Sequence, residues 1–427
     1  MRYITKMNFS GKKFAGLLAF AALFGGAAVF AQDKATLDLL VKKGVITQEE
    51  AEAVAKQSVL IVGPKEKAVK KLTISGRIHT QFDYISVDDQ RDNAPHLETT
   101  QQFMIRRAFV GIAADLGGGV KGEVEMDFAA GTGSTVQGTG GTRNLFSKVY
   151  ASKYFTDIGT LKAGYDKVNF GQEENTSSAR MPVVERSLAT YFFTGDFNDG
   201  SSYRRLGMGN RRTGVFWHGQ TNEKNFTYSA AVTNGQQSVR SFGAGNGGMS
   251  YWFSAAYTGK LENWDYHAGL NMGYSQNGNS AANDTMRDMW GINPYLTVKS
   301  GRFQMPAEFL LASVQKGRED GSDAVPWGVN VTPRYTLCDE FDVVARFSYL
   351  DTNGRGLRIS DGVRNAPSPA VNYDRAYAVY LGFNWYIIGD ALKLTMGYEY
   401  ARFMDALVLG KGDANAHALR ARVQLLF

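Results

Sequence analysis

The chain has 427 residues, 48 of them glycine, with 47 Lys+Arg against 41 Asp+Glu and one cysteine. Four of the basic residues fall within the first thirty-one, where no acidic residue occurs, so beyond that segment the charge drops from +6 to +2. This excludes a Lys/Arg-dense nucleic-acid surface, and the lone Cys338, expected as a small buried side chain, excludes an internal disulfide or a cysteine metal cluster.

Residues 1–31 read as a cleaved secretory leader. Arg2, Lys6, Lys12 and Lys13 precede an apolar run from Phe14 to Phe30, and Val29 and Ala31 stand at the −3 and −1 positions before Gln32. A membrane-anchor helix is the alternative, but the run is short for a span and rich in Gly and Ala. Residues 32–70 predict a periplasmic helical hairpin and linker. Leu37, Leu40 and Val41 recur at helical spacing, Gly44 breaks the run, and Thr47-Gln48-Glu49-Glu50 forms a capping box before a second helix. Such a hairpin would clasp subunits, bind another envelope component or simply pack as a spacer; the residues leave these open.

From residue 71 the period changes to two. Leu72, Ile74, Gly76, Ile78, Thr80, Phe82 and Tyr84 alternate with Thr73, Ser75, Arg77, His79, Gln81 and Asp83. Val120, Gly122, Val124, Met126 and Phe128 alternate with Lys121, Glu123, Glu125 and Asp127. The pattern returns at 392–400, with Lys393 and Glu399 on the polar face, and at 419–427, with Arg420, Arg422 and Gln424. Alternation puts successive side chains on opposite sheet faces, and about 9–11 residues suffice for a tilted strand to cross a bilayer. Further segments lie at 144–155, 158–166, 225–234, 264–276, 301–314, 340–351 and 376–388, with less regular ones near 101–115, 211–219, 250–259, 286–299 and 327–337. The expected fold is all-β: a transmembrane antiparallel barrel of about sixteen strands over 71–427, preceded by a short helical segment. In water its exposed Phe, Tyr and Leu would drive aggregation, whereas in lipid they form the required apolar belt.

Two stretches resist this alternation. Arg106 and Arg107 are adjacent, so one of them points to lipid unless a bulge or a snorkelling side chain intervenes. Residues 167–210 lack alternation for some forty positions, and a loop that long usually has a task. It carries Glu173, Glu174, Arg180, Glu185, Arg186, Arg204 and Arg205 among Tyr191, Phe192, Phe193 and Phe197. Folded into the lumen it would narrow a channel; the alternative is an exposed surface loop.

Several motifs resemble one family. Gly159–Glu173 (GTLKAGYDKVNFGQE) is similar to the strand entering the constriction loop of the phosphate-selective porins (the O/P family), and Glu185-Arg186-Ser187-Leu188 resembles a motif within that loop. Phe103–Ala108 (FMIRRA) resembles the family's second strand, and Ala345–Asp351 and Leu381–Tyr386 its late strands, in order over about 72–427. The resemblance implies a sixteen-stranded barrel, a homotrimer, a third loop folded into each pore, and anion uptake guided by basic residues. The loop departs from a dense basic pattern, because Glu173, Glu174, Glu185, Asp196 and Asp199 interleave its arginines. That puts phosphate specificity in doubt.

No enzyme chemistry is legible. His79, His96, His218, His267 and His417 are scattered, and neither a G-x-S-x-G nor a phosphate loop occurs. Asp196–Gly200 and Asp351–Gly354 have oxygen spacings that calcium could use, but read better as Asn/Asp-Gly turns. No catalytic, cofactor or metal residue is expected. The residues point instead to a porin of the outer membrane, passing small hydrophilic or anionic solutes and contacting lipid but no nucleic acid. Candidate pore residues are Arg77, Lys121, Lys393, Arg420 and Arg422 on the wall, and Arg180, Glu185, Arg186, Arg204 and Arg205 in the loop. With acidic groups on the same faces, weak selectivity is expected, with a modest anion preference at most. The competing readings are a barrel acting mainly as an envelope tether or adhesin, and a soluble secreted carbohydrate-binding protein.

Overall fold

The computed structural model describes residues 69–427 except 92–93, 95, 132–144, 157, 196–204, 210, 236–247, 280–286, 370 and 408–411, and before residue 69 only Lys42. The leader and, Lys42 apart, the expected helical hairpin therefore lie outside the described residues.

One antiparallel sheet closes on itself. Its strands are β1 (Lys71–Asp89), β2 (Thr100–Gly117), β3 (Val120–Asp127), β4 (Phe146–Phe155), β5 (Gly159–Lys167) and β6 (Arg211–Gln220). They continue as β7 (Phe226–Asn234), β8 (Met249–Leu261), β9 (Trp264–Asn279), β10 (Arg287–Ser300), β11 (Phe303–Val314) and β12 (Trp327–Val331). The last are β13 (Arg334–Cys338), β14 (Phe341–Asp351), β15 (Tyr373–Asp390), β16 (Leu392–Ala406) and β17 (Ala414–Leu426). Each pairs with its neighbour, and β1 pairs with β17 from Arg77↔Leu426 to Asp89↔Ala414. β12 and β13 both lie between β11 and β14 and are one span interrupted at Thr332-Pro333, where proline has no N–H for the ladder. The barrel thus has sixteen spans, as the alternation predicted.

Closure is completed by Phe427. Its carbonyl accepts from Gly76 N at 2.7 Å, and its ring covers Gly76 so closely that any Cβ there would collide with it. The outward face carries an apolar set, with Ile74, Phe103, Leu161, Phe253 and Leu381 exposed, while alternate residues face the lumen. The pairing of β1 with β2 slips between His79 and Thr80, skipping Arg106. This bulge turns both Arg106 and Arg107 inward and resolves the conflict seen in the sequence.

Cys338 is a correction: it is exposed, not buried. The pairing of β13 with β14 slips after Thr336, which leaves the cysteine at the frayed strand end beside the turn.

The turns after β2, β4, β6, β8, β10, β13 and β15 have one to five residues, whereas connections at the other end run from seven to forty-three. The wall is also uneven, for β3 to β7 have 8–10 residues each while β1, β2 and β15 have 18 or 19.

Candidate functional site

The third long connection leaves β5 and turns inward through Val168 and Phe170. After Gly171, at φ 83°, it forms a short helix α1 (Gln172–Asn175), then a tip at 177–186, then α2 (Leu188–Thr194). Ser187 caps α2 by accepting from Thr190 N at 3.1 Å. The loop enters the lumen because its apolar side chains need a partner that water would not supply. Phe170, Leu188, Phe192, Phe193, Leu206 and Met208 are fully buried in one cluster with the inward-facing Trp252, Leu310 and Leu350. A hydrophobic core therefore sits inside the barrel, against β8 to β16.

A buried carboxylate anchors the loop's base. Glu308 of β11 accepts from Gln172 N and Thr190 Oγ1, both at 2.7 Å, and from Asn293 Nδ2 at 3.1 Å. Among the described residues it has no ion-pair partner, and several donors replace its lost water.

The tip crosses to the opposite wall. Arg77 donates to Ser178 Oγ at 2.6 Å, Lys393 to the Ala179 carbonyl at 2.9 Å, and Asn384 to the Pro182 carbonyl at 2.9 Å. Arg346 of β14 bridges Glu185 O at 2.7 Å, Glu173 Oε1 at 3.2 Å and Glu399 Oε1 at 2.6 Å. Met181 and Val183 rest on Tyr380, whose ring lies flat over Gly382 and Gly397 because neither has a Cβ to lift it.

Glu185 is the charge centre of the tip. It meets Arg106 Nε at 2.6 Å, Arg422 Nη2 at 3.0 Å and Arg364 Nε at 3.5 Å. Burial alone would raise its carboxyl, but the Arg106 and Arg422 guanidiniums outweigh that and hold it well below the usual carboxylate range. Glu174, also pushed up by burial, is held at about 2 by Arg186 and Lys167. Arg107 is buried close by, and its Nη1 has no hydrogen-bond partner among the described residues.

These contacts leave an asymmetric lumen. On β14, β16 and β17 the inward side chains from Asp342 to Leu350, Lys393 to Phe403 and Ala414 to Gln424 are buried beneath the inward loops. On β3 and β4 the inward Lys121, Glu123, Glu125, Asp127, Lys148 and Tyr150 all keep contact with solvent. There Lys148 sits 2.9 Å from Glu123 and 3.8 Å from Glu125, and on β5 Lys162 sits 2.9 Å from Asp166. The wetted wall is therefore mixed in charge, with acidic groups in slight excess.

The residues singled out from the sequence take different places. Arg180 is exposed on the loop, and Lys121 is exposed at the short-turn mouth, 3.8 Å from Asp115. Arg77, Glu185 and Arg186 hold the loop, the last through Glu174 at 2.7 Å. Lys393, Arg420 and Arg422 face inward as alternation requires, but are covered, with Arg420 donating to Glu399 at 2.8 Å and to the Arg364 carbonyl at 2.8 Å. Arg205 lies over the Tyr191 ring at 4.6 Å and 3.6 Å from Asp361. Arg204 lies outside the described residues.

Arg346, Glu308, Lys148 and Lys162 were not singled out, although strand alternation alone would have turned each inward. Beyond the turn read at Asp351–Gly354, the path of residues 355–372 was missed altogether. They fold inward as well, with α3 (Ile359–Gly362) adding Leu357, Ile359 and Val363 to the lumenal core.

Among the described residues no group of three or more His, Cys, Asp or Glu could hold a metal ion. The turn reading of Asp351–Gly354 fits its geometry: Asp351 Oδ1 accepts from Asn353 N at 2.8 Å, and both Asn353 and Gly354 have positive φ.

Comparison with known proteins agrees with this architecture. The family model described as phosphate-selective porin O and P matches residues 73–427. Among solved structures, the anion-selective porin from Comamonas acidovorans aligns at 12% identity and TM-score 0.54, over 83% of this chain and 99% of its own. The outer membrane channel DcaP of Acinetobacter baumannii aligns at 13% identity and TM-score 0.53, over 86% and 100%. OprB of Pseudomonas putida aligns at 12% identity and TM-score 0.55, over 83% and 94%. No curated protein matches.

Proposed function

This chain belongs to the phosphate-selective porin O and P family, an outer-membrane channel by family and fold, and we propose that it is a weakly selective diffusion pore constricted by its third loop. The observation that carries this reading is the loop's attachment at both ends: Glu308 holds its base and Arg77, Arg346 and Arg422 its tip. Solutes then pass between the tip and the wall of β2 to β5. On β3 to β5 Lys148 is paired with Glu123 and Glu125, and Lys162 with Asp166, on the same wall, so their fields largely cancel in the lumen. Such a wall rejects neither ion sign strongly. Several basic residues that could form an anion track are occupied by loop carbonyls and carboxylates, which favours general diffusion over phosphate specificity.

The low wall supports a homotrimer. The eight residues of β3 rise about 27 Å along the strand, and a tilt near 40° brings this to ~20 Å, less than the ~25 Å apolar band. A neighbouring copy against the outward Gly122, Ala151 and Ala163 would cover the deficit.

The function is tested by recording reconstituted protein in a KCl gradient with Arg180→Glu, and with Arg186→Glu added. The reversal potential should move toward cation preference. An unchanged value would remove the loop from the ion path.

A further inference from the structure

The seventh long connection, residues 352–372, was read in the sequence only as a turn at its start, yet its tip is tied to the neighbouring wall of β17, β1 and β2. Asn365 Nδ2 donates to Asp83 Oδ2 of β1 at 2.8 Å, Thr100 Oγ1 of β2 donates to Asn365 O at 3.1 Å, and Arg420 of β17 donates to Arg364 O at 2.8 Å. Asn365 stands at φ 63°, a conformation asparagine tolerates better than most residues. At the base, Leu357 and Tyr373 exchange backbone hydrogen bonds at 2.8 and 2.9 Å. Between these ends Leu357, Ile359 and Val363 share one core with Leu188, Phe192 and Phe193 of the third loop. The wall opposite is lined with Ala376, Ala378, Ala401, Ala414, Ala416 and Ala418, all buried, whose small side chains leave room for the loop. A loop with buried apolar side chains and a tip bonded to three strands is docked.

Its tip also carries charge. Glu185 is shared by Arg106, Arg422 and Arg364, so one carboxylate faces three guanidiniums. Of these side chains Arg364 is the most accessible, at 32% exposure against 16% for Arg106 and 4% for Arg422. Its guanidinium lies over the Tyr191 ring at 4.5 Å with Nε toward Glu185, and about a third of the side chain stays open to solvent.

We infer that the 352–372 loop is a second, permanently docked constricting element, and that Arg364 at its tip is a specificity-determining residue contacting anionic groups of passing solutes. The inference deepens the pore reading and rests on it. It confines the outer half of the solute path to the side of β2 to β5, and it places the local positive surplus at the outer face of the constriction.

The test uses the full chain reconstituted in planar bilayers with KCl as the probe. In a Cys338→Ser background, Met104→Cys and Asn365→Cys put thiols on two residues whose side chains now touch, Asn365 Nδ2 to Met104 Sδ at 3.6 Å, and loss of free thiol on oxidation verifies that the disulfide has formed before recording. The oxidised and reduced forms should show the same unitary conductance. A conductance that changes on reduction would mean that the loop moves in the open channel, and would overturn docking. Arg364→Glu should shift the reversal potential toward cations, and Arg364→Gln should shift it less in the same direction. Heat-modifiable migration checks that each variant still forms a barrel. An unchanged reversal potential in both variants would overturn the role of Arg364 while leaving the pore reading intact. No conductance from the unsubstituted chain would instead remove the pore reading and this inference together.

Discussion

Arg106 donates to Glu185 across the lumen, Nε to Oε1 at 2.6 Å, and so joins the bulge of β2 to the tip of the third loop. Without the bulge Arg106 would face lipid and the loop would lose the closest of its three guanidiniums. Glu185→Ala should leave Arg106 and Arg422 without their shared counter-charge. Breaking such a buried arrangement from one side typically costs about 3–5 kcal/mol. The expected outcome is a lower thermal unfolding midpoint and a reversal potential displaced toward anions, read by heat-modifiable migration and bilayer recording.

The loop should tolerate mild acid. Glu185 and Glu174 have folded values below that of an unfolded glutamate, about 4.3. Their contribution is therefore complete above about pH 4.3 and is lost only as pH falls through the depressed folded values. Conductance recorded from pH 7 to pH 5 should not show the step expected of a loop released by protonation of these two carboxylates. A step in that window, abolished by Glu185→Gln, would contradict the assignment.

Glu308 can be probed without altering the wetted wall. Glu308→Leu leaves Gln172 N–H, the Thr190 hydroxyl and one Asn293 N–H without their acceptor. An unsatisfied buried donor costs about 1–3 kcal/mol. Trypsin should then cleave at Arg180 and Arg186 faster than in the unsubstituted protein, and single-channel current should become noisier.

Gly397→Val tests the loop's seat from the opposite wall. Any Cβ at Gly397 would fall within the Tyr380 ring, lifting Met181 and Val183 from their support. Overpacking of this kind costs about 1–3 kcal/mol. A reduced unfolding midpoint is expected, with residual conductance higher because the tip is displaced.

Much of the barrel was legible in the sequence because a lipid-facing strand must alternate, and β1, β3, β16 and β17 do so without exception over their central residues. β12 and β13 were read as one segment, rightly, since Pro333 interrupts the ladder without turning the chain. The site was less legible. Alternation gives the face of Lys393, Arg420 and Arg422, but not what covers that face, and the cover comes from loops distant in sequence. Beyond its opening turn the 352–372 loop was silent because its docking depends on six alanines spread over three strands, each unremarkable in its own strand.

The most direct measurement is planar-bilayer recording of the purified chain across a KCl gradient, with and without added phosphate. A mixed-charge wall beside a docked loop predicts stable open channels, a small reversal potential, and little block by phosphate. A reversal potential close to the ideal anion value, or strong block by phosphate, would contradict the weakly selective pore.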